Sequence, residues 1–167
     1  MTKGCFALDT RTRVSAAQAA LAGAVAWLAL NALVYTAAPL LSVSLGTVAP
    51  FFGALLLPTA DAGAQSRVGR AVLLAAAVVW GLMYARVEPR LPGRGFLRGL
   101  LFGALVWLGT ALVLPVLGAL HPVETAAQPG FLGFAWQGTR GVVLSILAHL
   151  GFGAALAALL HVQTRRL

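Results

Sequence analysis

The sequence predicts an all-α integral membrane protein: a bundle of four transmembrane helices with a re-entrant or interfacial segment between the first two spans. Of its 167 residues, 60% are hydrophobic and 10% are charged, whereas soluble proteins have roughly 25% charged residues. A soluble fold of this size has too little interior to bury so much apolar surface. In addition, the apolar residues are collected in four stretches whose lengths approach the ~20 residues that a spanning helix needs.

The four spans account for most of the chain. They are predicted at residues 16–41, 70–87, 96–120 and 139–161. The second is short, but Arg70 and Arg86 at its ends can extend along apolar surface and place their guanidinium groups at the interface. The chain is therefore divided into an N-terminal tail (1–15), a transmembrane domain (16–162) and a C-terminal tail (163–167).

Residues 43–60 are apolar but are not predicted to cross the membrane. They contain Gly46, Pro50, Gly53 and Pro58, and proline removes a backbone donor that a helix interior requires. The uninterrupted run 51–57 is too short to span the hydrocarbon core. The sequence leaves open whether this segment is re-entrant or interfacial.

Positive charge predicts the orientation. With four spans, nine basic residues lie on the side of the N-terminus and three on the other: Lys3, Arg11, Arg13, Arg86, Arg90, Arg94, Arg98, Arg165 and Arg166 against Arg67, Arg70 and Arg140. A fifth span at 43–60 would make the distribution even. The positive-inside rule thus favours four spans with both termini in the cytoplasm. A composition rich in Ala, Gly and Arg with a single Lys suggests a bacterium and hence its inner membrane.

Several function classes are disfavoured. The net charge of +8 is located at span ends, without the basic stripe of a nucleic-acid surface, so no nucleic-acid partner is expected. The single cysteine, Cys5, excludes an intramolecular disulfide. We find no P-loop, dinucleotide fingerprint or hydrolase motif, and the four acidic residues lie in tails or loops. The sequence therefore predicts a protein that is not an enzyme and binds no cofactor.

Small residues recur at helical spacing on the last two spans. Gly95, Gly99 and Gly103 form two overlapping GxxxG units, and Gly141 and Gly153 share a stripe of the fourth span. Such faces let helix backbones approach closely in lipid. Packing within the bundle is the favoured interpretation, and docking of a partner protein or a second copy is the alternative.

One polar site is predicted inside the membrane. His149 is the ionisable residue that lies well within a span, and Asn31 on the first span has a similar depth; Tyr35 and Ser145 complete the group. A structural hydrogen bond among these residues is the favoured interpretation. The alternatives are a proton or small-ligand site and a haem or metal ligand, for which a second histidine at mid-membrane depth is missing.

The second half of the chain, roughly 72–160, resembles small bacterial inner-membrane proteins of the YagU type. The resemblance rests on the turn Leu91-Pro92-Gly93-Arg94-Gly95, on Gly99, Gly103, Trp107, Leu114-Pro115 and Gly118, and on Ala148-His149-Leu150-Gly151-Phe152-Gly153. It implies a four-helix membrane protein and no particular activity.

These patterns lead to one functional expectation and two alternatives. The favoured one is a non-catalytic accessory or assembly subunit of a larger bacterial inner-membrane complex, which binds a membrane-protein partner or a second copy within the bilayer. The first alternative is a small transporter or proton-linked channel centred on His149 and Asn31. The second is a membrane haem protein.

Overall fold

The computed structural model describes residues 14–123 and 129–164. These residues form five α-helices: α1 (Ala16–Leu40), α2 (Val48–Ala54), α3 (Ala62–Val87), α4 (Phe96–Ala119) and α5 (Phe134–Thr164). All but α2 are long and apolar enough to cross a membrane, and the described part contains no β-strand. The predicted all-α class with four spans is therefore confirmed. The predicted tails, 1–15 and 163–167, lie mostly outside the described residues.

The second spanning helix is longer than the sequence indicated. The span was predicted to begin at residue 70, but α3 begins at Ala62 because the carboxylate of Asp61 accepts a hydrogen bond from the backbone N–H of Ala64 and caps the helix. The same bond lowers the pKa of the Asp61 carboxyl below its usual value. The helix therefore extends about two turns beyond the N-terminal end of the predicted span.

The segment between α1 and α3 contains the short helix α2. Pro50 lies in its first turn, where a missing N–H costs no internal hydrogen bond. Ala49 and Gly53 of α2 contact α3 at Gln65 and Gly69 so closely that a Cβ added at Gly53 would overlap the backbone of Gln65. The segment is thus held against the first half of α3 and does not form a fifth span.

The four long helices alternate in direction. Gly23 of α1 lies against Ala77 of α3, and Leu30 of α1 lies against Gly151 of α5. The helices α3 and α4 meet through rings, since both Trp80 and Tyr84 contact Phe102 edge to face. A continuous apolar core lies between the helices; among its most buried residues are Ala22, Ala26, Ala77, Tyr84, Phe102, Val106, Phe152, Leu156 and Leu160.

The crossing of α4 and α5 is formed by glycine. A Cβ added at Gly103 would overlap the backbone carbonyl of His149, and one added at Gly153 would overlap Gly99 and Gly103. A Cβ at Gly99 would come within 2.7 Å of the Ala157 methyl group. In lipid there is little hydrophobic effect to bring helices together, and they associate mainly through van der Waals contact. The close backbone contact at these glycines therefore stabilises the pairing of α4 with α5.

The helices α1 and α3 also cross in backbone contact, here through alanine and glycine residues. Gly23 faces the backbone of Ala77 and Val78, while Gly81 faces Ala19 and Gly23 itself. Any side chain larger than hydrogen at either glycine would separate the two backbones. The bundle therefore rests on two close crossings, one between α1 and α3 and the other between α4 and α5.

The turn between α3 and α4 is tight and closed by an ion pair. Gly93 and Gly95 adopt φ values of 86° and 49°, which side chains with a Cβ disfavour. Arg98 on the first turn of α4 reaches back to the Glu88 carboxylate and donates through Nε to the carbonyl of Gly93. These bonds fix the direction in which α4 leaves the turn.

A matched pair of substitutions on α4 tests the glycine crossing. Gly103→Ala should destabilise the protein by about 1–3 kcal/mol, because the new methyl group has no room beside His149. Gly109→Ala should be neutral or stabilising, since no atom lies within 4 Å of a Cβ there and alanine favours a helix over glycine by about 1 kcal/mol. Thermal unfolding followed by circular dichroism in mild detergent measures both. Equal stability of the two variants would contradict a close crossing at Gly103.

Candidate functional site

The predicted polar site is divided between α1 and α5. Asn31, Ser145 and His149 are half-buried. The Tyr35 side chain, by contrast, is 47% exposed and lies on the outer surface of the bundle. The depths of Asn31 and His149 match, because Leu30 lies against Gly151. Three of the four residues therefore lie on the sides of their helices that face the bundle, whereas Tyr35 faces outward.

The polar groups of α1 and α5 bond to their own helices. The Asn31 amide donates to the carbonyl of Trp27 at 2.9 Å, and Nδ1 of His149 lies 2.8 Å from the carbonyl of Ser145. Each acceptor is the carbonyl four residues earlier in the same helix. Among the four residues of the predicted site, a hydrogen bond therefore joins His149 to the backbone of Ser145, and none joins Asn31 to His149 within the described residues.

The geometry of the His149 bond determines which ring nitrogen carries hydrogen. A carbonyl only accepts, so Nδ1 must be the donor to Ser145. In a neutral ring, Nε2 is then an acceptor, and within the described residues it has no hydrogen-bond partner. His149 lies on the same stripe of α5 as Phe152 and Leu156, which are buried, but it is itself only half-buried.

The glycines of the predicted helix-packing or partner face are used in different ways. Gly99, Gly103 and Gly153 lie at the crossing of α4 and α5. Gly95 precedes α4 at a positive φ with open space around it, and a Cβ at Gly141 would meet Gln137 of its own helix. The close contacts with another helix are therefore confined to the first three residues.

A second buried group lies in the loops at the other end of α4, where the sequence indicated only a span end. The His121 side chain is 8% exposed, and its ring stacks on that of Phe51 with 4.5 Å between centroids. The Trp136 ring meets that of Phe51 edge to face, with 4.8 Å between centroids. Nε2 of His121 donates to the Phe51 carbonyl at 3.1 Å, and Nδ1 accepts from the N–H of Val123.

The His121 group joins α2 to the loop after α4 and to the first turn of α5. Its two bonds are both satisfied by the neutral ring with hydrogen on Nε2. No local pattern in the sequence predicts it, because 70 positions separate His121 from Phe51. Because the ring is stacked on Phe51 and both of its nitrogens are hydrogen-bonded, His121 has a structural role.

Neither histidine belongs to a cluster of metal-ligand type. Among the described residues, no three His, Cys, Asp or Glu side chains are grouped closely enough to bind a metal ion. His121 lies in the loop after α4 and bonds to Phe51 of α2, whereas His149 lies within α5 and bonds to Ser145. A pair of axial ligands is therefore not formed by these two residues.

The fold defines a multi-pass α-helical membrane protein with four spanning helices. The chain belongs to the family described as "Family of unknown function (DUF6789)", which it matches over residues 14–166. The match covers all four spans and the segment that contains α2. No curated protein and no solved structure matches the chain significantly.

A double-mutant cycle tests whether Asn31 and His149 act as one site. We expect Asn31→Ala and His149→Ala to have additive effects on unfolding free energy, within about 0.5 kcal/mol, because each side chain bonds only to its own helix. Thermal or denaturant unfolding of the two single variants and the double variant gives the coupling energy. A coupling above about 1 kcal/mol would show that the two side chains interact.

Proposed function

We propose that the protein is a non-catalytic accessory or assembly subunit of a larger bacterial inner-membrane complex. One observation carries the proposal: three polar side chains in the interior of the spans bond back to their own helices. Asn31, Thr110 and His149 each bond to the carbonyl four residues earlier. Such bonds satisfy isolated polar groups without linking one helix to the next.

A transport route requires a different arrangement. Polar groups from several helices then converge on a shared path through the membrane, as in proton relays and substrate sites. At the two glycine crossings and in the core, the contacts between spanning helices are apolar or backbone contacts. Arg140 of α5 donates to the carbonyl of Leu41, but this bond lies at the end of α1. This arrangement favours a protein that acts through its lipid-facing surface, by binding another membrane protein or a second copy.

The proposed partner faces differ from the glycine faces. Gly23, Gly81, Gly99, Gly103 and Gly153 are occupied by contacts within the chain. Large apolar side chains cover the outside instead, among them Leu21 and Leu28 of α1 and Leu112 and Val116 of α4, each more than half exposed. A partner in the bilayer would contact these side chains in place of lipid.

Purification in a mild detergent tests the accessory role. The tagged full chain should copurify with a membrane protein at fixed stoichiometry, and deletion of this chain should reduce assembly of that partner's complex. His149→Ala and Asn31→Ala should retain the partner, because neither side chain lies on the outer surface. A folded protein that purifies alone from the native membrane, with no assembly defect on deletion, would contradict the proposal.

We also propose that the N-terminus and the C-terminus of the chain both face the cytoplasm. The antiparallel order places the start of α1, the end of α3, the start of α4 and the end of α5 on one side. This side includes Arg86, Arg90, Arg94 and Arg98 together with the basic residues of the sequence before Val14 and after Thr164. An excess of Lys and Arg is typical of cytoplasmic loops.

Reporter fusions test the orientation. A cytoplasm-active reporter joined after Leu167 should be active, whereas the same reporter inserted after Pro122, between α4 and α5, should be inactive. A reporter that functions only outside the cytoplasm should give the opposite pattern at both positions. Activity of the cytoplasmic reporter at Pro122 would reverse the orientation.

A small transporter or proton-linked channel is the second candidate, and the free Nε2 of His149 favours it. An unpartnered ring nitrogen inside a span is available to a proton or to a donor group of a ligand. Proteoliposomes with a pH-sensitive dye inside distinguish the two candidates. Proton flux that His149→Ala abolishes and Ser145→Ala preserves would support transport, because the acceptor of the His149 bond is the backbone of Ser145 and not its hydroxyl. Equal dye responses in all three preparations and in empty vesicles would exclude it.

The similarity of the second half to YagU-type proteins stays a prediction beside the family match. It is consistent with an inner-membrane location and adds no activity.

A further inference from the structure

A shallow apolar groove lies on the face of α4 that is turned away from α5. Gly99 and Gly103 face α5, and with 3.6 residues per turn the groove residues of α4 lie on the opposite side. The groove has a volume of about 340 Å³ and is lined by Leu91, Pro92, Leu101, Ala104, Leu105 and Leu108. One of its ends is therefore formed by the turn between α3 and α4, at the membrane boundary.

The groove is confined to the depth of one leaflet of a bilayer: its α4 residues, Leu101 to Leu108, span about 10 Å of helix. From Phe96, where α4 begins, to Leu108 the helix rises roughly 18 Å, at about 1.5 Å per residue. The hydrocarbon core of one leaflet is about 15 Å thick. A helix of a partner protein would be expected to use a groove along the full span. An acyl chain that enters from one leaflet needs only this length.

The turn that forms the end of the groove carries unneutralised positive charge. Four arginines lie within residues 86–98, together with one carboxylate, that of Glu88. Arg98 occupies this carboxylate. Arg90 directly precedes Leu91, and Arg94 follows Pro92 by two residues; both side chains are exposed.

We infer that this groove and the two arginines beside it form a binding site for an anionic phospholipid. One acyl chain lies along Leu101, Leu105 and Leu108, and the phosphate and headgroup lie against Arg90 and Arg94. Guanidinium groups bind phosphate oxygens through paired N–H donors. One N–H group of Arg90 is used by the carbonyl of Arg86, which holds the side chain at the turn and leaves its remaining donors for the headgroup.

Native mass spectrometry of the purified full chain tests the headgroup preference. The protein is incubated with equal amounts of phosphatidylglycerol and phosphatidylcholine that carry the same acyl chains, and the retained lipids are compared. The wild-type chain should retain more phosphatidylglycerol. Replacing Arg90 and Arg94 with Gln should lower the ratio by roughly fivefold per arginine. Replacing both with Lys should preserve most of it.

The control for charge is the pair Arg67→Gln and Arg70→Gln, at the other end of α3. It should leave the lipid ratio unchanged. If this pair lowers the ratio as much as the Arg90 and Arg94 variant does, or if the latter has no effect, the site is not at this turn. Inorganic phosphate should not displace the lipid, because it lacks the acyl chain; displacement at equal concentration would contradict a phospholipid site.

Filling the groove tests the position of the acyl chain. Ala104→Trp should reduce retention of both lipids, since the indole occupies the groove, whereas Leu112→Trp, on the same side of α4 but beyond the groove, should not. Equal retention by these two variants would overturn the proposal. So would a change from a dimer to a monomer in Ala104→Trp with lipid retention unaltered, because the occupant would then be a second copy. If Ala104→Trp fails to fold, the arginine variants still test the proposal, because they change only exposed side chains and should not affect folding.

Discussion

Contact between helix backbones at glycine and alanine is the interaction on which the bundle depends. Lipid tails solvate leucine as well as another helix does, so spanning helices gain little from burying apolar side chains against each other. They gain when backbones approach closely, which multiplies dispersion contacts. The two crossings, α1 with α3 at Gly23 and Gly81 and α4 with α5 at Gly103 and Gly153, provide this approach. Aromatic rings then join α3 to α4, which have no such glycine contact.

This use of glycine bears directly on function. A small-residue face that is filled by the chain itself is not available to a partner, so the outer surface of the protein consists of large apolar side chains and basic turns. The Asn31 amide and the Thr110 hydroxyl bond to carbonyls of their own helices and do not link one helix to the next. Both features favour a role in association within the membrane, with a lipid at the turn before α4 and a protein partner elsewhere on the surface.

The sequence predicted the long elements because their signal is compositional. About twenty apolar residues with basic ends form a span whatever their partners are. The GxxxG spacing of Gly95, Gly99 and Gly103 also indicated a contact face on α4, and two of these residues, Gly99 and Gly103, do contact α5. The start of α3 was missed because Arg67 and Arg70 interrupt the apolar run, whereas the Asp61 cap sets the boundary. The bonds of Asn31 and His149 depend on rotamers, and the stacking of His121 on Phe51 depends on how distant loops meet. Neither is encoded in spacing along the chain.

The central claim is that the glycine face of α4 contacts α5 of the same chain. A disulfide tests it most directly: Gly99→Cys with Ala157→Cys, in a chain whose Cys5 is replaced by Ser, oxidised in native membranes. A Cβ at Gly99 lies 2.7 Å from that of Ala157, and a small separation of the helices brings the pair into the range of about 3.5–4.5 Å that disulfides require. The account predicts a monomer with an internal disulfide, identified by the loss of both free thiols without a change in mass on a non-reducing gel. Disulfide-linked dimers, or two thiols that stay free in a folded chain, would contradict it.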